Sequence, residues 1–358
     1  MEIEERIAQI REEIRKTPYH KGTQHYIGRL RGRIAQLEDE LLWKKAKGEG
    51  SGGGGYAVKK TGDATVVLVG PPSVGKSTLI NQITNANSKV AAYDFTTIDV
   101  IPGMMDYRGA HFQIMDIPGI ISGASKGKGR GKQVLSVARN ADLILIMVDT
   151  KSLEKIAAIK AELYQFGIRL DEAPPLVYIT KLTAGGLKIS ANVPLKHINL
   201  ATIEELAGEF KIRNGEIVVK EDVTLERLID AFMANRAYLP YLVVVNKVDL
   251  SKKALANPDF LPISAQKNLG VAELKEKIWQ KLGLAGIFLK PADGEADLNK
   301  PLIIKAGQTL REILAGLSIC DKETFTKAKV WGPGAKFPGQ EVSFSFRPLE
   351  GTIIGFLA

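Results

Sequence analysis

The chain has one cysteine in 358 residues. Cys320 has no second thiol to pair with, so no internal disulfide is available and the sequence fits the reducing cytoplasm. Its expected role is that of a small buried hydrophobe. No apolar run approaches the ~20 residues needed to cross a bilayer, so no membrane-spanning helix is expected and no membrane partner is implied. The N-terminal stretch mixes acidic and basic residues and lacks a secretory-leader pattern. What is present is ordinary: 45% hydrophobic and 25% charged residues, in a chain long enough for two or three cored domains. The charge is not balanced, at +9. Such a surplus favours contact with a polyanion such as RNA or DNA, against the alternative of a merely solvated basic surface.

One motif dominates. Gly70-Pro71-Pro72-Ser73-Val74-Gly75-Lys76-Ser77-Thr78 follows the apolar run Thr65–Val69. It matches the phosphate-binding loop G-x-x-x-x-G-K-[ST], between a buried strand and a helix as its physics requires. Glycines let backbone N–H groups turn inward on phosphate oxygens, and the helix N-terminus adds its dipole. Lys76 is expected to reach the β- and γ-phosphates, and the Ser77 hydroxyl to bind Mg2+.

The base is read from a second motif. Asn246-Lys247-Val248-Asp249 ends a strongly apolar strand, where ligands bind in doubly wound sheets. The Asp249 carboxylate can accept from both N1–H and N2–H2 of guanine, a pair that adenine lacks, so GTP is expected over ATP. Asn246 could bond the base N7 and hold neighbouring loops, and the Lys247 stem could cover the ring. Ser264-Ala265, at the next strand end, would offer a backbone N–H to guanine O6.

Asp116-Ile117-Pro118-Gly119 ends the strand His111–Met115. Asp116 is the expected carboxylate near Mg2+, acting through water, and the Gly119 N–H can touch the γ-phosphate. Upstream, Tyr93-Asp94-Phe95-Thr96-Thr97 has the position of a first switch loop. Thr97 is expected to close the metal shell, with Thr96 as the alternative. Gln is absent where signalling GTPases place it after the Asp-x-x-Gly glycine; Ile120-Ile121 stand there. An aliphatic side chain cannot orient a water, so hydrolysis should be slow unaided and rely on Lys76, Mg2+, backbone dipoles and a partner or monovalent cation. The basic segment Ser122–Lys132 reads either as a solvated loop or as a polyanion contact whose order follows the nucleotide.

The fold class expected from these patterns is α/β, a P-loop domain with a doubly wound, mostly parallel sheet. Residues 1–47 carry two apolar stripes broken at Thr17-Pro18 and Gly22, an antiparallel helical hairpin. Its second helix is basic (Lys21, Arg29, Arg31, Arg33, then Lys44, Lys45, Lys47), which fits a solvated face or a binding patch alike. Residues 48–57 form a Gly-rich tether, on which the hairpin should move relative to the domain that follows. The nucleotide domain spans 58–290. Between Asp149 and Tyr241 lies far more chain than the ~30 residues of one strand–helix–strand unit, so 171–239 reads as an inserted small α/β domain. Residues 291–358 read as a compact β-rich domain with one helix at Thr309–Leu314.

Together these motifs resemble the developmentally regulated GTP-binding (DRG) proteins, within the Obg-related GTPases. Lys60–Ala64, Pro72–Ser77, Phe95–Thr97, Asp116–Gly119 with Ile120, and Val330–Lys336 with Pro338–Gln340 carry the resemblance. It implies an insertion like the second domain of ribosomal protein S5 and a C-terminal TGS domain, a ubiquitin-like β-grasp. It also implies a GTP/GDP switch linked to ribosomes, RNA and translation, stimulated by a protein cofactor of the DRG-binding type. Members of the wider class with a hydrophobic residue for Gln often use K+, held partly by a phosphate-loop Asn; here Ser73 stands at that position. Two other readings keep the fold: a TGS-containing ATPase, and a binding module that uses nucleotide only for stability.

Overall fold

A computed structural model describes residues 2–20, 22–45, 62–84, 101–116, 137–251, 257–291, 294–317 and 325–357. The expected tether, the first switch loop with Thr96 and Thr97, Gly119, Ile120, the basic segment and Cys320 lie outside the described residues. Contacts divide the chain into two compact units.

The larger unit is built on a six-stranded sheet in the order Phe260–Pro262, Tyr241–Asn246, Leu143–Asp149, Ala64–Val69, Ala110–Asp116, Ile101–Tyr107. The first five run parallel and the last is antiparallel to its neighbour. Parallel strands are covered on both faces, which explains why Ala64–Val69 is buried throughout. The Val271–Leu282 helix buries Leu274, Ile278 and Trp279, and Trp279 meets the edge of Phe112 at 6.5 Å. Sequence patterning finds five of these strands. It misses Ile101–Tyr107, because Pro102 and Gly103 interrupt the apolar run, and only an edge strand tolerates that Pro.

A second sheet in this unit runs Leu302–Lys305, Leu284–Leu289, Ile353–Leu357, Lys327–Trp331, Gln340–Val342. The Leu310–Gly316 helix lies on it, started by a reciprocal Thr309–Glu312 capping box. The sheet takes its first strand from Leu284–Leu289, ahead of the Pro291 boundary expected from composition. That strand follows Gly283, the left-handed cap of the preceding helix, without a loop to mark the change.

The other unit holds the helical hairpin, Ile3–Lys16 and Gln24–Lys45, and residues 162–238. Here Val177–Lys181 and Leu187–Ala191 flank Gly215–Val219, and the helices Leu200–Glu209 and Leu225–Met233 cover one face. Asn199 and Thr224 cap those helices. The hairpin packs on this insertion through a seam of small residues. A Cβ on Gly32 would lie 2.4 Å from Leu206 Cδ1, and one on Gly28 would lie 3.0 Å from Thr202 Cγ2. Arg29, Arg31 and Arg33 face Glu205, Glu226 and Glu209 across the same seam. The three arginines of the basic stripe, legible in sequence as a solvated face or a binding patch, therefore meet carboxylates of their own chain. Each pair is partly exposed, so together they set register more than stability. Deeper in this unit, Arg169 makes a two-pronged bond to Asp230 at 2.6 and 2.7 Å, and Arg236 adds a third at 3.0 Å. Among the described residues no helix is long and apolar enough to cross a membrane.

Candidate nucleotide site

The site lies at the C-terminal ends of the parallel strands. Val69 leads into the Gly70–Gly75 loop, and the Lys76–Ile83 helix leaves it. Gly75 has φ 98°, left-handed backbone open to glycine, and a Cβ there would stand 2.5 Å from Asn246 Nδ2. Ser73 also sits in the left-handed region, at φ 63°.

Lys76 Nζ donates to the carbonyls of Gly70 and Pro71, each at 3.1 Å, and lies 4.0 Å from Asp116 Oδ1. Both side chains are largely sequestered from solvent. Burial pushes the Asp116 carboxyl up, against the opposing pull of the Lys76 ammonium and the Ser77 hydroxyl. Asp116 Oδ1 is buried without a hydrogen-bond partner among the described residues. A buried carboxylate oxygen with spare capacity beside a serine hydroxyl is the hard-oxygen donor set that suits Mg2+. The phosphate-loop residues and Asp116 are thus brought together as expected.

Asn246, Lys247 and Asp249 divide their work. Asn246 is buried, its Nδ2 donating to the Val74 carbonyl at 2.8 Å and its Oδ1 accepting the Ala265 N–H at 2.9 Å. Both N–H groups of Ser264-Ala265, the pair expected to offer one to guanine O6, are therefore bonded within the protein, that of Ser264 to the Leu269 carbonyl at 3.0 Å. Lys247 turns through left-handed backbone, φ 62°, and its Nζ donates to the Ser73 carbonyl at 2.6 Å. The Asp249 side chain is only 8% exposed. A hydrogen bond from the Ser264 hydroxyl, helped by Lys267 at 3.5 Å, holds its carboxyl below the usual range, so it stands ionised as an acceptor.

One further residue carries no motif. Asp149, at the end of the neighbouring strand, accepts the Ser152 hydroxyl at 2.7 Å and the Lys151 N–H at 3.1 Å on Oδ1. Oδ2 is thereby turned to the Lys247 ammonium at 3.4 Å. Burial raises its carboxyl's pKa, but these three bonds together hold it below the usual range. The sequence signal was Asp149-Thr150-Lys151-Ser152, an Asx-type turn at a strand end.

Comparison with known proteins gives this geometry its context. A family profile described as a 50S ribosome-binding GTPase matches residues 65–181, and one for the C-terminal region of that domain matches 184–284. An uncharacterised GTP-binding protein of Methanocaldococcus jannaschii is 47% identical over 364 residues, covering 99% of this chain and 92% of that protein. Developmentally-regulated GTP-binding protein 1 of Xenopus laevis is 40% identical over 349 residues, 94% of each chain. The chain belongs to the DRG family. Developmentally-regulated G-protein 3 of Arabidopsis thaliana, 39% identical over 95% of this chain and 94% of that one, is a further relative. Relatives of this DRG chain thus match both units, insertion and C-terminal sheet included. Among solved structures, the Schizosaccharomyces pombe YchF GTPase aligns with 84% of this chain and 99% of that one, at 18% identity and TM-score 0.45.

Proposed function

We propose that this DRG-family chain hydrolyses GTP to GDP and phosphate, as a slow switch acting on ribosomes and RNA in translation. One observation carries the enzymatic part: Asn246 bonds the phosphate loop at Val74 and the base-side loop at Ala265, so phosphate and base recognition form a single site. Lys76 pairs with the β- and γ-phosphates and offsets charge that develops on the γ-oxygens. Backbone N–H groups of Pro72–Thr78, excepting proline, cradle the phosphates, and Asp249 selects guanine. Ser77, Asp116 and Thr97 are the residues that would hold Mg2+, with Thr96 as the alternative for the last. Held there, the ion would supply positive charge that offsets the negative charge of the phosphates. Gly119 contacts the γ-phosphate through its N–H.

Ile120 in place of Gln leaves the attacking water without a side-chain orienter, so a protein cofactor of the DRG-binding type raises the rate. Ser73 lacks the carboxamide oxygen that an Asn would offer K+, so turnover with and without K+ tests whether the cation contributes. The translation role rests on the family profile's description, on the +9 charge and on the C-terminal domain read as TGS. Co-sedimentation with ribosomes in the presence of a GTP analogue, GDP or no nucleotide tests it, alongside turnover with and without ribosomes. Binding favoured by the GTP analogue, with turnover above the no-enzyme background, is expected. Binding blind to nucleotide, or tighter use of ATP than GTP, overturns the reading.

A further inference from the structure

The C-terminal sheet has two unlike faces. Ile287, Ala328, Val330 and Ile354 are buried beneath the Leu310–Gly316 helix. Strand alternation puts their neighbours on the opposite face. There Trp331 pairs with Ile353, Lys329 with Gly355 and Lys327 with Leu357, while Phe288 flanks Ile353 and Glu341 flanks Lys329. None of these belongs to the core beneath, and all the side chains are half-buried or exposed.

Trp331 ends its strand on that face, beside Ile353 of the neighbouring strand. A Cβ on Gly355 would lie 3.4 Å from its Cζ3 and 3.5 Å from its Cη2, and a Cβ on Gly339 would lie 3.4 Å from its Nε1. The indole therefore rests on bare backbone at both glycines, which gives it a fixed orientation. Lys290 Nζ is 5.9 Å from the ring centroid. Farther along the same face stand Lys329 and Lys327, and Glu341, which pairs with Lys327 at 3.3 Å. The face is net positive.

We propose that this face binds single-stranded RNA, with one base stacked on Trp331 and the phosphates running past Lys290 and Lys329. An aromatic platform flanked by ammonium groups takes the π-face of any unpaired base, whereas a duplex keeps those faces within its own stack. An apolar protein surface is a poorer match, because it would desolvate the Lys329 ammonium and the Lys290 ammonium, which donates to the Gly294 carbonyl, without bringing a counter-charge. The proposal rests on the RNA-linked reading above and adds the surface and the strandedness.

The test uses the full chain and a labelled single-stranded oligouridylate of about twelve nucleotides, a length one such platform can occupy. A duplex RNA of the same length serves as comparator, and fluorescence anisotropy is the readout. Trp331→Ala should weaken single-strand binding by about tenfold, the weight of one aromatic–base stack, and Trp331→Phe should restore most of it. GTP affinity and the thermal unfolding midpoint provide the check on folding. If Trp331→Ala does not fold, Lys290→Gln with Lys329→Gln takes its place, and the salt dependence of binding should then flatten by about two phosphate contacts. Single-strand affinity unchanged by these substitutions overturns the platform while leaving the RNA reading intact. Failure of the parent chain to bind either RNA overturns both. Self-association that Trp331→Ala abolishes would assign the face to a second copy of the chain and overturn the proposal.

Discussion

The Asn246 side chain donates to the Val74 carbonyl at 2.8 Å, tying the end of a sheet strand to the heart of the phosphate loop. Its other end accepts from Ala265 at 2.9 Å. A residue expected to bond the base N7 and to hold neighbouring loops thus holds two loops, one from each end of its amide. Its contribution to nucleotide binding is to fix two loops in one geometry before ligand arrives, which lowers the ordering cost of binding.

Asn246→Ala removes both bonds and leaves two buried groups unsatisfied, at about 1–3 kcal/mol apiece. GDP affinity, followed with a fluorescent analogue, should fall by at least about tenfold, and the unfolding midpoint should drop with it. A change within twofold would show that the two loops hold their positions without this residue.

Asp249→Asn exchanges an acceptor for a donor on one oxygen. Guanine loses its two-pronged partner, while xanthine, whose C2 oxygen needs a donor, gains one. Competition between GTP and XTP should therefore reverse in favour of XTP. Retained guanine selectivity would remove Asp249 from base recognition.

Asp149→Asn keeps the shape of the turn with Ser152 but withdraws the charge facing Lys247. Nucleotide affinity should weaken by several-fold, less than in Asn246→Ala. In a double-mutant cycle with Lys247→Ala the effects should be non-additive, since one acts through the other. Strict additivity would mean that Asp149 acts elsewhere.

Gly32→Val drives a side chain into Leu206, whose Cδ1 lies 2.4 Å from the position a Cβ would take. Overpacking of this kind costs about 1–3 kcal/mol. Chemical denaturation should show that loss, and Leu206→Ala should recover part of it by vacating the space. The absence of any rescue would place the strain outside this seam.

Asp230→Ala leaves Arg169 buried without its carboxylate and leaves Arg236 facing Asp39 Oδ1 at 3.9 Å. Breaking a buried ion pair on one side costs about 3–5 kcal/mol, so this should be the most damaging single change in the insertion. Thermal unfolding of the full chain measures it, with Asp222→Ala, at a far more exposed carboxylate, as the mild comparator.

The phosphate loop, Asp116 and the Asn246–Asp249 run are local patterns, and the sheet order brings their strand ends together as strand-end motifs require. The core strands were legible because burial on both faces demands unbroken apolar runs. Ile101–Tyr107 was not, since an edge strand accepts Pro102 and loses the periodic signal. Leu284–Leu289 was hidden in another way: with Gly283 alone between helix and strand, no turn-rich stretch announced a new sheet.

The sequence by itself determined the family, because the phosphate-loop pattern and the Asn246–Asp249 pattern are each built from residues adjacent in the chain. It also determined that α/β segments surround that loop, through the periodicity of buried side chains. The tertiary structure alone decided what distant residues do to one another. It turned Arg29, Arg31 and Arg33 toward Glu205, Glu226 and Glu209, made Gly32 the space for Leu206, and set Asp149 behind Lys247. It also set the Trp331 ring against Gly355. Such pairings depend on which surfaces meet when elements pack, and a charge or a glycine in a linear pattern carries no mark of its eventual neighbour.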